Sequence, residues 1–353
     1  MTYHVRAISD IPHWILEDTN THEPVTVVTQ FLHYLQTRQY SEATLRAYAY
    51  GLRSFWDWLE EQGHDWSVVH RGDLVQYLES TQIPRGRLPG GRLSARTLNH
   101  RLAVLNSFFA WWQLVQDDPG LGNPAHTIPS PSGASSQGLL GHVRRRTLRQ
   151  PLRVREDHAL PQALPIQAVE NLISHFHTVR DKAMALLMVM GGLRSMEVRA
   201  LRFDDLDLGQ GQVLVRGKGR RQRWVPLNDL TLTHVHRYIL MERPSTSTTT
   251  IFVVQKGPHR GEPLSAAGLR SVFRYHRIVS DQAAVRPHRL RHTYATNLAQ
   301  GGIDPAVLQR LMGHAHFDQT LAYIHLAPEP VRQAYDAAMA QWRRRQEGEP
   351  PCP

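Results

Sequence analysis

The sequence predicts a multidomain chain: an all-α helical bundle, then a larger, mainly helical α+β domain carrying a small β-hairpin sheet. Three observations lead there. Residues 121–160 form a Pro/Gly/Ser-rich stretch with a basic end, and they separate two differently patterned regions. Before that stretch, apolar residues recur at three- and four-residue spacing. After it, helical patterns alternate with short β-like runs, two of which flank a GKGR turn.

In the first part, residues 1–24 read as an N-terminal extension. TVVTQFLHYLQTR (26–38) then places Val27, Val28, Phe31, Leu32 and Leu35 on one helix face. Ser41 can cap a second helix that Gly63 closes, because a hydroxyl satisfies free N–H groups and glycine tolerates the left-handed stop. A short helix is expected over 73–81, and Ser94 caps another through SARTLNHRLAVLNSFFAWWQLV. These helices make a bundle over 25–120 with Phe55, Trp56, Trp58, Phe108, Phe109, Trp111 and Trp112 in its core. The insertion PRGRLPGGR (84–92) joins two of them. Its Arg85, Arg87 and Arg92 belong either to a solvated loop or to a set of phosphate contacts.

The second part spans 161–346, followed by a tail at 347–353. Helical patterns cover 166–178, 180–192, 228–241, 265–278, 288–300, 304–312 and 328–346. QVLVR (212–216) and RQRWVPL (221–227) form a hairpin, and TIFVV (250–254) is a further β-like segment. In the last helix Val331, Tyr335, Ala338 and Trp342 make an apolar stripe suited to docking.

Composition narrows the function. The single Cys352 stands next to the C-terminal residue, which leaves no disulfide framework or thiolate metal site. The longest nearly apolar run, AMALLMVMGGL, has 11 residues, too few to span a bilayer. With no apolar signal core at the N-terminus, a soluble cytoplasmic protein is expected, away from any membrane. The formal charge of +10 is uneven: residues 1–120 hold 10 Arg against 13 acids, whereas 121–160 hold 6 Arg against 2. Of 41 cations only Lys182, Lys218 and Lys256 are lysines.

Four segments carry chemistry. GLRSMEVRAL (192–201) sets Arg194 and Glu197 three residues apart, where a carboxylate on the same helix face can orient a guanidinium. Lys218 stands at a glycine-flanked hairpin tip. Arginine would solvate a turn equally well, so a rare lysine there points to a proton donor. RPHRLRHTYATNL (286–298) pairs His288 and Arg291 at i and i+3, donors suited to two oxygens of one phosphate. His288 and His292 at i and i+4 would alternatively make a metal pair, but no third ligand stands at convincing spacing. LMGHAHFDQTLAYIH (311–325) supplies His314 and, nine residues on, Tyr323, a core residue or a nucleophile.

Taken together, the second domain resembles the catalytic domain of the tyrosine site-specific recombinases, or phage-integrase family. That family is marked by G-L-R-x-x-E, a hairpin lysine, H-x-L-R-H-T-x-A-T, L-G-H and a tyrosine nine residues beyond. LMGH here departs from the commoner LLGH and keeps the histidine. The resemblance covers roughly 165–345, and the helices of 25–118 resemble the family's core-binding (SAM-like) bundle.

The resemblance implies a strand-exchange enzyme acting on double-stranded DNA. Arg194 and Arg291 would clamp the scissile phosphate, with His314 adding a hydrogen bond and Glu197 in support. His288 would lie beside Tyr323 as its hydrogen-bonding partner and proton acceptor, and Lys218 would protonate the leaving 5′-oxygen. The phosphotyrosyl bond keeps the energy of the broken phosphodiester, so no metal or other cofactor is called for. Linker residues Arg144, Arg145, Arg146, Arg149, Arg153 and Arg155 would track phosphates, and the C-terminal helix would join four protomers, with accessory proteins as further partners. The chain would then serve as the integrase or transposase of a mobile element. Alternatives are a chromosome-dimer resolvase of the same family, a relaxing topoisomerase, a DNA-binding protein without catalysis, or a histidine-based metallohydrolase.

Overall fold

A computed structural model of the chain describes residues 2–82, 93–116, 122–126, 128–129, 148–149, 151–156, 163–217, 222–324 and 339. The chain divides into two compact units, Met1–His158 and Ala159–Pro353.

The first unit begins with a feature absent from the sequence reading. The residues taken as an N-terminal extension form a hairpin, β1 (Tyr3–Ala7) and β2 (Trp14–Asp18), antiparallel with Val5 opposite Leu16. Both of those side chains are buried in the bundle's core. Asp57 fastens the hairpin, its Oδ1 accepting from the backbone N–H groups of Thr2 (2.9 Å) and Tyr3 (3.1 Å). Strands of five residues carry too short an alternation to stand out in the sequence.

Four helices follow: α1 (Thr26–Thr37), α2 (Glu42–Gln62), α3 (Arg71–Gln82) and α4 (Ala95–Gln116). Local chemistry sets their ends. Ser41 Oγ accepts from Thr44 N–H at 3.3 Å, Ser94 Oγ accepts from Thr97 N–H at 3.2 Å, and Gly63 ends α2 at a φ of 66°. Helix α1 buries Val27, Val28, Phe31, Leu32 and Leu35, the face its spacing predicts. Around Phe108 the rings of Phe31, Trp56 and Phe109 stand edge-on at 5.2–5.4 Å, the arrangement that ring quadrupoles favour. Of the seven aromatics expected in the core, Trp112 alone is half-buried, against Trp66.

Parts of the stretch read as linker pack on this unit. Ala125 joins the main core, while Leu152 and Val154 lie against Leu78, Leu98 and Leu102. Asn99 exchanges two backbone hydrogen bonds with Val154, both 2.8 Å. Two short strands, β3 (Ile128–Pro129) and β4 (Leu148–Arg149), pair antiparallel. Arg149 therefore stands in a strand. Arg85, Arg87, Arg92, Arg144, Arg145 and Arg146 lie outside the described residues.

The second unit contains α5 (Ile166–Ser174), α6 (Val179–Val189), α7 (Ser195–Ala200), α8 (Asp229–Arg237), α9 (Ala266–Val279), α10 (Pro287–Gln300), α11 (Pro305–Met312) and α12 (Asp318–Ile324). A three-stranded antiparallel sheet, β5 (Leu206–Asp207), β6 (Gln212–Arg216) and β7 (Gln222–Pro226), lies beside them in that order. Helix α6 is buried on nearly every face, its apolar stretch Ala183–Val189 forming the centre of the core, packed between α8 and α10. It stops at Val189, short of the expected Met190–Gly192, where Gly192 takes a φ of 65°. Helix α8 passes into a π turn at Tyr238–Glu242, and the Glu242 carboxylate accepts from the first N–H groups of α6, Val179 (2.9 Å) and Arg180 (3.1 Å).

The expected strand at 250–254 is not a member of the sheet. It makes only isolated bridges, Arg202 with Thr250 and Val253 with Pro263. Ile251, Phe252 and Val253 are all buried, which gave the segment its β-like character. Arg243 donates to the carbonyls of Thr248, Thr250 and Ile251, and the backbone N–H groups of Leu264 and Gly261 reach those of Phe252 and Val254. The predicted helix at 328–346 lies outside the described residues apart from Met339. No described helix is long and apolar enough to cross a membrane.

Candidate active site

The second unit's polar centre is Glu197, whose side chain is almost entirely buried. It stands in the first turn of α7, and Arg194 is that helix's N-cap, with an extended backbone rather than a helical one. The three-residue spacing therefore works as a cap. Glu197 Oε2 accepts from the backbone N–H of Arg194 and Oε1 from its Nη1, both at 2.7 Å.

A second guanidinium meets the same carboxylate from the sheet. Arg223 on β7 donates through Nη1 and Nη2 to the two Glu197 oxygens, each at 3.0 Å, and through Nε to the Leu311 carbonyl at 2.7 Å. A third, Arg291 on α10, lies 3.7 Å from Glu197 and donates Nη1 to the Gly192 carbonyl at 2.5 Å and Nη2 to that of Met312. Two glycines make this packing possible. A Cβ on Gly192 would stand 2.3 Å from the Tyr294 ring, and one on Gly313 would stand 2.8 Å from Arg223 Nη1. Both also hold positive φ, 65° and 59°, which side chains rarely adopt.

Gly313 closes α11 and delivers His314, whose Nδ1 pairs with Thr320 Oγ1 at 2.9 Å. Among the described residues its other ring nitrogen makes no hydrogen bond. Tyr323 on α12 is only 4% exposed, set among Tyr294, Ala295, Ala299, Leu308 and Met312. The His314 ring lies parallel to it with centroids 6.2 Å apart. Its hydroxyl is hydrogen-bonded to His292 Nδ1.

That last contact corrects the sequence reading, which made His288 the partner of Tyr323. A helix turns 100° per residue, and His292 is one turn beyond His288, nearer the end of α12 that carries the phenol. His288 instead faces the His292 ring at 5.3 Å. It also lines a groove of about 660 Å³ with Arg199, Arg270, Arg274, Arg277 and Arg286. The structure thus brings together Arg194, Glu197, Arg291, His314 and Tyr323, with His288 to one side. Lys218 lies outside the described residues, between β6 and β7 in the sequence.

The charges agree with the geometry. Burial alone would raise the Glu197 carboxyl, but Arg223 and then Arg194 overcome it and hold the pKa down at about 2. Burial, reinforced by the charges of Arg291, Arg194 and Arg223, lowers His314 to about 4. His292 is lowered by burial and then by His288 and Arg291, so both imidazoles are neutral near pH 7. Burial raises the Tyr323 phenol, and Arg291 and Arg194 pull against it. The result is a protonated phenol hydrogen-bonded to a neutral imidazole, beside two guanidinium groups.

Residues 162–329 match the model of the phage integrase family, and residues 28–113 match that of the phage integrase N-terminal SAM-like domain. Over 310 residues the chain is 32% identical to tyrosine recombinase XerC 2 of Ralstonia nicotianae, across 84% of this chain and 81% of that protein. The chain belongs to the tyrosine recombinase family. Tyrosine recombinase XerC of Alcanivorax borkumensis is 28% identical over 342 residues, across 94% of this chain and 99% of the relative. The fold is shared with the XerH recombinase in a post-cleavage complex with its difH substrate, at TM-score 0.62 and 19% identity, across 88% of this chain and 84% of that one. It is shared as well with the Tn1549 transposon integrase bound to circular intermediate DNA, at TM-score 0.62 and 18% identity, across 90% and 98%. As a tyrosine recombinase the protein is an enzyme of DNA cleavage and rejoining.

Two members of the recombinase's cluster escaped the sequence reading. His292 was weighed only as half of a metal pair. Arg223 lay unnoticed in RQRWVPL, although the two-residue period of a strand puts it on the same face as the buried Val225. A cation on an inward face needs a partner, and that was the available signal.

Proposed function

We propose that this recombinase cuts and rejoins DNA at specific sites through a 3′-phosphotyrosyl link formed by Tyr323. The observation that carries the reading is the phenol of Tyr323 hydrogen-bonded to neutral His292 beside Arg291 and Arg194. The Tyr323 oxygen attacks the scissile phosphorus, His292 takes the phenolic proton, and the bond to the 5′-oxygen breaks. Lys218 gives that oxygen its proton, a task a guanidinium fills poorly. Arg194 and Arg291 hold the non-bridging oxygens as charge builds on them, and the free ring nitrogen of His314 adds a hydrogen bond. His288, one of the residues lining the arginine-rich groove, orients the DNA strand. A 5′-hydroxyl from a second duplex then reverses the chemistry, and two such exchanges pass through a Holliday junction. No metal or nucleotide takes part.

The groove lined by Arg199, Arg270, Arg274, Arg277 and Arg286 suits a phosphate backbone. Arg85, Arg87 and Arg92, with the linker residues Arg144, Arg145, Arg146, Arg149, Arg153 and Arg155, supply further phosphate contacts. If about five linker arginines meet phosphates, replacing them by alanine lowers the slope of log K against log salt by ~4–5. An unchanged slope refutes that contact. The working assembly is a tetramer on DNA joined through the C-terminal helix, with accessory proteins where a site requires them, in the cytoplasm.

The biological setting we favour is the integrase or transposase of a mobile element, on the strength of the arginine-bearing insertion at 84–92 and the extended linker. Relatives named XerC that match over nearly the whole chain support a second setting, chromosome-dimer resolution. The relatives quoted are recombinases and lend a relaxing topoisomerase no support.

The test is a covalent selection. The protein is incubated with a library of nicked duplexes, protein-linked strands are recovered in denaturant, and the joints are sequenced. A defined joint on a 3′-phosphate, lost in Tyr323→Phe while duplex binding persists, is the expected result. Covalent complexes formed by Tyr323→Phe overturn it. Joints at element ends indicate a mobile element, and one chromosomal locus indicates dimer resolution.

A further inference from the structure

Glu197 is one carboxylate shared among three guanidinium groups, and the three are not equivalent. The side chain of Arg194 is 34% exposed, whereas those of Arg223 and Arg291 are 12% and 9% exposed. Only Arg194 opens outward. Arg223 spends all three of its guanidinium nitrogens inward, two on Glu197 and one on the Leu311 carbonyl. Arg194 gives Nη1 to Glu197, and among the described residues its Nη2 meets only the Gly313 carbonyl, at 3.3 Å.

We propose that Arg223 is a positioning residue that neutralises Glu197, leaving the guanidinium of Arg194 free to hold the scissile phosphate. This rests on the strand-cleavage reading above. A planar fork facing both oxygens of a buried carboxylate is the strongest pairing available to arginine. Without Arg223, Glu197 would face Arg194 as its one close partner, Arg291 being 3.7 Å away. Arg194 would turn its own fork inward, because a buried carboxylate left half-paired is costly. Its charge would then be engaged before the phosphate arrived. Arg223 also fixes the chain just before His314, since Nε holds the Leu311 carbonyl and the Gly313 turn leaves room for Nη1.

The experiment uses the full-length protein and the duplex recovered by covalent selection, made with either an ordinary phosphate or a methylphosphonate at the scissile position. The methyl group removes the negative charge that Arg194 is there to hold. Arg223→Gln should slow cleavage of the phosphate duplex by about 10²-fold. On the methylphosphonate duplex it should come within about threefold of the unsubstituted protein. Arg223→Lys should behave alike, because an ammonium cannot form the fork. Removing the competing carboxylate as well, in Glu197→Gln/Arg223→Gln, should restore about tenfold over Arg223→Gln.

Equal slowing on both duplexes overturns the proposal. So does a double variant no faster than the single one, unimpaired Arg223→Lys, or failure of both single variants to fold. If the unsubstituted protein forms no covalent complex with any duplex, the strand-cleavage reading falls first and takes this proposal with it. If it cleaves and the variants fail the comparison, this proposal falls alone.

Discussion

Phe108 and Glu197 stand at the centres of the two units, and their surroundings have little in common. Phe108 is ringed by Phe31, Trp56, Trp66, Phe109 and Trp111, contributed by three helices and a short turn. Its contacts are apolar and non-directional, so several arrangements of similar volume would hold the bundle together. Glu197 is ringed by Arg194, Arg223 and Arg291, from a helix cap, a strand and a second helix. Arg194 and Arg223 make directed, charge-assisted hydrogen bonds to it, Arg291 adds an ion pair at 3.7 Å, and moving one partner disturbs the rest. The first unit is built for holding and the second for alignment, and substitutions should separate the two.

The widest separation is expected from Glu197→Ala. It leaves three guanidinium groups facing one another without a counter-charge, at a cost of about 3–5 kcal/mol. Calorimetry should show the unfolding of the second unit moving down while the first stays in place, and cleavage should be lost with it. Phe108→Ala should produce the mirror image. The first unit loses about 3–5 kcal/mol to a cavity. The cleavage rate of duplex already bound should stay within about twofold, because no group at the phosphate has moved. If either substitution shifts both transitions together, the units are not energetically separate.

Acidity should affect the second unit more than the first. The folded pKa of His314 is about 4, below the ordinary 6.5, so the unfolded chain takes up the proton first. Stability is therefore whole above about pH 6.5 and falls by about 1–2 kcal/mol as the pH drops toward 4, the full linkage value being reduced by solvent screening at this partly exposed ring. His292 is shifted in the same direction and adds to the fall. Glu197 behaves in a separate window: its carboxylate contributes above the ordinary 4.5, and that contribution is lost as the pH falls through about 2. Melting temperatures recorded from pH 8 to 3 should show the first decline, and His314→Gln should flatten it. A decline unaltered in that variant would assign the acid sensitivity elsewhere.

The smallest effect belongs to the caps. Ser41→Ala removes the acceptor for Thr44 N–H and should cost the first unit about 1 kcal/mol, with no change at the site. Chemical denaturation followed by tryptophan fluorescence would measure it, since the aromatic core lies in that unit.

Ser41, Gly63 and Ser94 were readable because a cap acts on residues three positions away, and the face of α1 because a helix repeats every 3.6 residues. The β6–β7 pairing was readable for a similar reason, its strands lying only a few residues apart in the sequence. The residues proposed for catalysis stand in the sequence as types in order: arginine and glutamate, histidine and arginine, histidine and tyrosine. The β1–β2 hairpin was not, since its stability comes from Asp57 and a bundle core formed later in the chain. The segment 250–254 misled because a buried apolar run looks alike whether its carbonyls meet a strand or Arg243.

The chemistry of this recombinase thus lies in its order of residues, and so do the helices that carry it. The choice between His288 and His292 as the partner of Tyr323 lies in neither. It depends on how α12 packs against α10, 31 positions from one ring to the other. Arg223 likewise acquires its meaning only across 26 positions to Glu197 and 88 to Leu311. Periodicity and caps are local forces and leave local traces. Directed pairing between buried charges depends on where distant backbones come together, and a linear pattern of residue types does not encode that distance.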